Sequence, residues 1–390
     1  MKKVYLDNAA TTYTSSEVLA EMLPCFNAAY GNSNSTHSFG REAEEIVDRA
    51  RDRIAKAIGA AKSNEIYFTS GGTEANNWAI FGLARANKAK GKHIIISAIE
   101  HDSVLQPAKQ LEKEGFQVTI LPADRQGVVS LARLLHEIRK DTILISIMSV
   151  NNEVGTIQNI KAIGKTAREN GIIFHTDATC ALGALKLDVE DMAIDALTIS
   201  AHKIYGPKGI GALYVRNSVK IENLLFGGEH ERGKRAGTLN TPAIAGFGKA
   251  VENATKDMGA TVQKLKVIRN YLITKLTKAV EDVQVNGHPQ QSFPSIISLT
   301  FERVDGESLT ALLDLEGVSV STGSACASHA IQKSHVLKAI GLSDQESQST
   351  IRVSFAKSIT KEEINFAVEK IAECVARLRK VSPLTKAGRR

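Results

Sequence analysis

From about residue 65 to residue 215 the chain alternates short β-branched, apolar runs with longer segments whose apolar positions recur at helical spacing. The runs at 65–69, 93–97, 117–121, 142–146, 171–175, 196–200 and 211–215 have the length and Val/Ile/Thr content of strands. Between them, segments such as 74–90, 131–140 and 161–170 place an apolar residue every three or four positions, as one face of a helix does. This alternation predicts an α/β fold: a large domain with a mostly parallel seven-stranded sheet covered by helices on both faces. Ligands on such sheets collect at the carboxyl ends of the strands, and that is where the polar clusters fall. A long helical stretch at about 242–280 follows and links to a different pattern. Strands at 295–301, 318–321 and 350–355, with helices at 306–316 and 361–379, predict a smaller α/β domain at the C-terminal end. There is no internal repeat and no low-complexity segment.

Composition narrows the function classes. A chain of 390 residues is long enough for two domains with a well-buried core. Net charge is +7, but the signs are mixed throughout, which describes a mildly basic surface rather than a groove for nucleic acid. The acid-free stretch is the tail from Cys374 to Arg390, read as a solvated end. Four cysteines, Cys25, Cys180, Cys326 and Cys374, stand far apart with no Cys-x-x-Cys pair. That spacing argues against a zinc site and a disulfide framework, and for a reducing compartment. No run approaches a membrane span and the first residues carry no apolar leader, so a cytoplasmic location is expected.

The candidate chemistry sits at the predicted strand ends. Asp177 closes His175-Thr-Asp177, and Lys203 closes Thr198-Ile-Ser-Ala-His-Lys203, just past the next run. A lysine amine can condense with an aldehyde cofactor, and a buried aspartate can keep a pyridine nitrogen protonated; pyridoxal phosphate chemistry needs both. Ser70-Gly-Gly-Thr73 lies between a strand and a helix, where backbone N–H groups and the helix N-terminus can form a phosphate cup. By itself this segment reads equally well as a tight turn, and its spacing fits neither a P-loop nor a dinucleotide fingerprint. His101 follows the 93–97 run and could stack on a flat ring and relay protons; standing alone it would be a surface histidine. Asn152, just past the 142–146 run, could bond a cofactor hydroxyl or be an ordinary turn residue.

Read together, these segments resemble the cysteine desulfurases, the NifS/IscS-like branch of the pyridoxal-phosphate-dependent fold-type-I superfamily. The likeness runs nearly end to end. It is carried by Tyr5-Leu-Asp-Asn-Ala-Ala-Thr-Thr12, His37-Ser-Phe-Gly-Arg41, Thr69-Ser-Gly-Gly-Thr-Glu-Ala-Asn76, Val150-Asn-Asn-Glu153 and His175-Thr-Asp-Ala178. It continues through Ser200-Ala-His-Lys203, Arg235-Ala-Gly-Thr238, Gly323-Ser-Ala-Cys326 and Ile351-Arg-Val-Ser354. The resemblance implies that pyridoxal phosphate is bound covalently by Lys203, paired with Asp177 and stacked on His101. It implies a phosphate site of Gly72, Thr73, Ser200 and His202, with Thr238 reaching in from the second subunit of a homodimer. Asn152 and Arg352 would bind the substrate, Arg352 by a bidentate clamp on its carboxylate. Cys326 would be the nucleophile that takes sulfur from L-cysteine as a persulfide, leaving alanine, and hands it to an acceptor protein. That acceptor would be an iron–sulfur scaffold or a tRNA-thiolation enzyme. The implied domains are residues 15–258, and 1–14 with 259–390, the latter carrying Cys326.

The chain departs from the family pattern at few places. Cys180 stands where the family usually has a glutamine that donates to the cofactor's 3′-oxygen, so a short, weak donor replaces a long, strong one. Asn32-Ser-Asn-Ser35 and Glu229-His-Glu-Arg232 differ more mildly, and the residues after Arg379-Lys-Val-Ser-Pro-Leu384 lack aromatics. Two other functions fit the same residues. An aminotransferase or β-lyase would leave Cys326 incidental, and a weakened docking platform would leave the protein colourless. No metal site and no membrane contact are expected.

Overall fold

A computed structural model describes residues 2–322 and 334–382. Its central element is a seven-stranded sheet of β1 (Ile66–Thr69), β2 (His93–Ser97), β3 (Gln117–Leu121), β4 (Thr142–Ser146), β5 (Ile173–Asp177), β6 (Ala196–Ser200) and β7 (Gly211–Val215). The order across the sheet is β1-β7-β6-β5-β4-β2-β3. Only β7 runs against the rest, antiparallel to both β1 and β6, so the other six strands deliver their carboxyl ends to one edge. β2, β4, β6 and β7 are buried along their whole length, as strands sandwiched between helix layers must be. Helix α1 (Gly72–Asn87) follows β1 and α2 (Asp102–Lys113) follows β2. Gly211 is required at the start of β7, because a Cβ there would meet the Gly71 carbonyl carbon at 2.7 Å and the Ile199 oxygen at 2.8 Å. The loop into α1 therefore lies against the end of the sheet.

A four-stranded antiparallel sheet follows, ordered Ser321–Thr322, Thr350–Ser354, Ile296–Phe301, Val283–Asn286. Its hydrophobic core draws on residues 265–375 together with Val4 and Leu6 from the start of the chain. The core beneath the large sheet draws on residues 18–251. The N-terminal strand Val4–Tyr5 pairs in parallel with Val318–Ser319. The first residues of the chain thus belong to the second core, and the chain then passes under the large sheet's carboxyl edge.

The sequence pattern located the strands but misplaced several ends. The run at 171–175 becomes β5 two residues later, because Gly171 at φ +68 ends the preceding helix Ile160–Glu169. The ladder to β6 then carries the strand on through Asp177. The stretch 242–280 is two helices, Thr241–Lys256 and Met258–Ala279, broken at Asp257 where ψ turns to +33°. The strand expected at 318–321 is two short ones that join different sheets.

Candidate active site

The loop from β1 into α1 begins the site. α1 starts at Gly72 without a side-chain cap, so its first-turn N–H groups are free to receive an anion. Two buried hydroxyls, Thr179 Oγ1 and Ser200 Oγ, have no hydrogen-bond partner among the described residues. A Cβ on Gly72 would lie 3.2 Å from that Thr179 oxygen and 3.6 Å from the Ser200 Cβ, so glycine keeps the space between them open. Glu74, also in the first turn, would repel an anion, but Arg235 neutralises it through two bonds of 2.8 and 3.0 Å. Uncapped N–H groups and orphaned hydroxyls are the donor set that a phosphate needs. His202 joins them as a neutral imidazole, held down to about 4 by burial and by the nearby Lys203 and Lys208, with Nδ1 3.2 Å from Thr11 Oγ1.

Asp177 ends β5 and is buried. Its two oxygens accept separately, Oδ1 from the Thr179 backbone N–H at 2.8 Å and Oδ2 from Asn76 Nδ2 at 2.7 Å. The other Asn76 amide proton goes to Ser103 Oγ at 2.8 Å, and Ser103 Oγ lies 2.8 Å from His101 Nδ1. His101 caps α2, and its Nδ1 also accepts from the Ser103 backbone N–H at 3.1 Å. Since a backbone N–H can only donate, Nδ1 is the acceptor and the neutral ring carries its proton on Nε2. Asn76, Ser103 and Thr179 carry this network, and sequence reasoning assigned none of them a role. The available signal was Asn76 itself, a polar residue one turn into a buried helix.

Lys203 ends the single 3-10 turn Ala201–Lys203 that follows β6. Its Nζ donates to the carbonyls of Ala9 and, at 2.9 Å, Ala10. The turn is tied down by Thr12, whose N–H and Oγ1 both donate to the His202 carbonyl at 2.9 and 2.8 Å. Lys203 lines a cavity with Cys180, Asn8, Tyr205 and Phe293. Burial pushes the Cys180 thiol up; Lys203 and Arg352 pull it back and Asp177 adds to the rise, so the thiol lies within the fields of all three charges.

Arg352 lies in the middle of strand Thr350–Ser354 and is only 4% exposed. Nη2 donates to Asp7 Oδ1 at 2.8 Å and Nη1 to the Asn152 carbonyl at 3.0 Å, while Nε is buried without a partner among the described residues. Asn152 thus meets the site through its backbone. Two buried glutamates flank this region. Glu100 is pushed up to about 8 by burial, and its Oε1 accepts from Ser97 Oγ and the Met148 N–H. Glu153 is pushed up to about 7 by burial and accepts from Ser334 Oγ.

The aminotransferase class-V family model matches residues 4–366. The chain belongs to that family. Within it, the chain is 48% identical over 385 residues to a cysteine desulfurase IscS of Clostridium botulinum, covering 98% of this chain and 97% of the relative. It is 48% identical over 384 residues to the IscS of Methanosarcina thermophila, covering 98% and 95%. Among solved structures, a NifS-like protein superposes with a TM-score of 0.91 at 35% identity, covering 96% of this chain and 100% of that one. DndA from Streptomyces lividans superposes at 0.76 with 35% identity, covering 90% and 99%. The class-V fold of the chain is therefore the pyridoxal-phosphate fold type I expected from its motifs, with the same seven-stranded sheet.

Of the residues picked from sequence, Gly72, Thr73, Asp177, Ser200, His202 and Lys203 share the carboxyl edge of the class-V sheet, with His101 and Asn152 on the loops beside them. Thr238 is exposed. Its segment is pinned at Glu231, which takes two bonds from Arg51 at 2.9 and 2.7 Å and one from the Phe68 N–H at 2.9 Å. Glu231 and Arg232 hold φ values of 49° and 59°, a strained backbone that this buried pair maintains. Cys326 lies outside the described residues. Among the described residues no group of three or more His, Cys, Asp or Glu could hold a metal, and no helix is long and apolar enough to cross a membrane.

Proposed function

We propose that this protein is a cysteine desulfurase that takes sulfur from L-cysteine, stores it on Cys326 and passes it to an acceptor protein. The observation that carries this reading is one convergence of groups. Lys203, Asp177 and an anion cup share one sheet edge, and the buried Arg352 bonds to the loop after β4 on that same edge. Pyridoxal phosphate bound there supplies an electron sink for the α-carbon of an amino acid. The residues fit it: Gly72, Thr73, Ser200 and His202 would hold the phosphate with Thr179, Asp177 would pair with the ring nitrogen, and Lys203 would be the point of covalent attachment.

Each remaining role belongs to a side chain of this protein. Arg352 binds the substrate carboxylate. Lys203 carries the α-proton of the substrate to and from carbon. His101, with Nδ1 committed to Ser103, exchanges protons through Nε2. The Cys326 thiolate attacks the substrate sulfur; a sulfur–sulfur bond forms, the carbon–sulfur bond breaks, and carbon takes a proton to leave as alanine. The flanks of the Cys326 segment support this role, since Ser321 pairs in register with Arg352 and Ser334 bonds to Glu153.

The working unit is a homodimer in which Thr238 completes the partner's phosphate site. The exposed Thr238 supports this, as do the large apolar side chains left in solvent nearby and on the N-terminal helices, Phe226 at 84% exposure and Phe26 at 62%. Residues 15–258 form the cofactor domain and 1–14 with 259–390 the small domain, a division supported by the two separate cores. The acceptor is an iron–sulfur scaffold or a tRNA-thiolation enzyme.

The deciding experiment incubates the purified protein with sulfur-labelled L-cysteine, measures alanine, and maps persulfide by mass spectrometry. Alanine and label on Cys326 are expected in equal amounts at first turnover. Cys326→Ala should still bind cysteine but transfer no sulfur; undiminished transfer would leave the β-lyase reading in its place. Cys180→Gln tests the departure from the family pattern. A longer, stronger donor should shift the pH midpoint of the bound cofactor's absorbance and raise turnover. An unchanged titration and rate would make Cys180 a wall residue.

A further inference from the structure

The motif Tyr5–Thr12 contributes carbonyls to Lys203 and a hydroxyl to His202, but its one acid has no role in the chemistry above. We propose that Asp7 is a specificity-determining residue: by occupying one nitrogen of Arg352 it limits how tightly the site holds a substrate carboxylate and rejects amino acids with a second acid. The inference rests on the reading of Arg352 as the substrate clamp.

Asp7 is not a chance surface partner. Residues 6–9 are stitched to the strand that carries Arg352, with the Ser354 N–H donating to the Leu6 carbonyl at 2.7 Å. The Asn8 N–H returns to the Ser354 carbonyl at 3.0 Å, and the Ala9 N–H reaches Ser354 Oγ at 2.8 Å. Asp7 and Arg352 are thereby held two strand residues apart in one rigid unit, and their contact is 2.8 Å with side-chain exposures of 18% and 5%. A nearly buried guanidinium without a counter-charge is costly, and Asp7 supplies that charge. Glu153 also acts on Arg352 electrostatically, but burial raises its carboxyl to about 7, and Asp7 is the carboxylate in direct contact with the guanidinium.

The consequence follows from the donor count. Of the five Arg352 N–H groups, one on Nη2 donates to Asp7 and one on Nη1 to the Asn152 carbonyl, which leaves one on each of these nitrogens and the buried Nε–H without a partner among the described residues. A substrate carboxylate arriving at the remaining N–H groups meets a cation that Asp7 already partly neutralises, so its binding is weaker than a naked arginine would give. A second carboxylate on the ligand's side chain meets Asp7 as a like charge in a site of low dielectric. The pair admits one carboxylate and penalises two.

The test uses L-aspartate and L-asparagine, which have the same shape and differ by one charge, binding to the holoenzyme in a calorimeter. In wild type, aspartate should bind more weakly than asparagine. Asp7→Asn keeps an acceptor for Nη2 but removes the charge; the ratio of the two dissociation constants should fall about tenfold, and KM for L-cysteine should fall without a matching change in kcat. Asp7→Glu keeps the charge and should keep the wild-type ratio, which makes the test independent of whether Asp7→Asn folds well. A ratio unchanged in Asp7→Asn, or collapsed in Asp7→Glu, overturns the proposal. Arg352→Gln should abolish asparagine binding; if it does not, the clamp reading itself fails, a result distinct from an unchanged ratio.

Discussion

Replacing Lys203 with alanine should lower turnover by about 10³-fold or more, the scale of losing a positioned proton carrier together with the covalent attachment. The fold should survive. Among the described residues Lys203 Nζ bonds only to the Ala9 and Ala10 carbonyls, and the turn that carries it keeps its other ties. Thr12 still donates twice to the His202 carbonyl, and the Tyr205 N–H still donates to Thr12 Oγ1 at 2.8 Å. The check has two parts. Borohydride reduction and peptide mass spectrometry should find the cofactor on Lys203 in wild type and on no peptide of the variant. Rapid-quench turnover with L-cysteine should show the loss in the chemical step rather than in KM. A variant that released alanine at the wild-type rate would remove Lys203 from the chemistry.

Much of this site was readable before any coordinates, for a physical reason. In a parallel sheet the carboxyl ends of successive strands reach one edge, so residues just past the β1, β2, β4, β5 and β6 runs had to meet. Thr73, His101, Asn152, Asp177 and Lys203 satisfy that rule. What the sequence left hidden acts through single contacts with no periodic signature. Asn76 lies within a quoted motif, yet its place between Asp177 and Ser103 depends on how α1 rotates against the sheet. Asp7 precedes the large sheet by more than fifty residues and reaches Arg352 only because the first strand joins the second core. Glu231 had no reading of its own within Glu229-His-Glu-Arg232. Its burial beneath Arg51 and its left-handed backbone come from tertiary packing, which overrides local preference.

The two buried glutamates beside His101 make stability fall as pH rises through neutrality, against the usual trend. Burial raises both carboxyls from the ordinary 4.5, Glu100 to about 8 and Glu153 to about 7. The Glu100 geometry is compatible with a neutral acid, because Oε1 takes both donors and Oε2 accepts from no group among the described residues. Above pH 4.5 the unfolded chain ionises these groups while the folded one keeps its protons, so each carboxyl favours unfolding more strongly until its folded value is passed. Three histidines work in the opposite sense. His175 and His202 are held at about 4, and His93 is lowered by burial, so the unfolded chain binds more protons than the folded one below pH 6.5. The two effects oppose each other up to about pH 6.5, and above it only the carboxyl effect remains. Each carboxyl contributes about 1.4 kcal/mol per pH unit over its window, so stability should drop by about 2 kcal/mol between pH 6.5 and 8. Urea unfolding at half-unit pH steps measures this. Glu100→Gln, which mimics the neutral acid, should flatten the segment from pH 7 to 8, and Glu153→Gln the segment below 7. A wild-type stability that rises steadily from pH 6.5 to 8 would mean that both carboxylates are ionised in the folded protein. Glu153 would then be a second charge on Arg352, and Ser334 would be held by an anion.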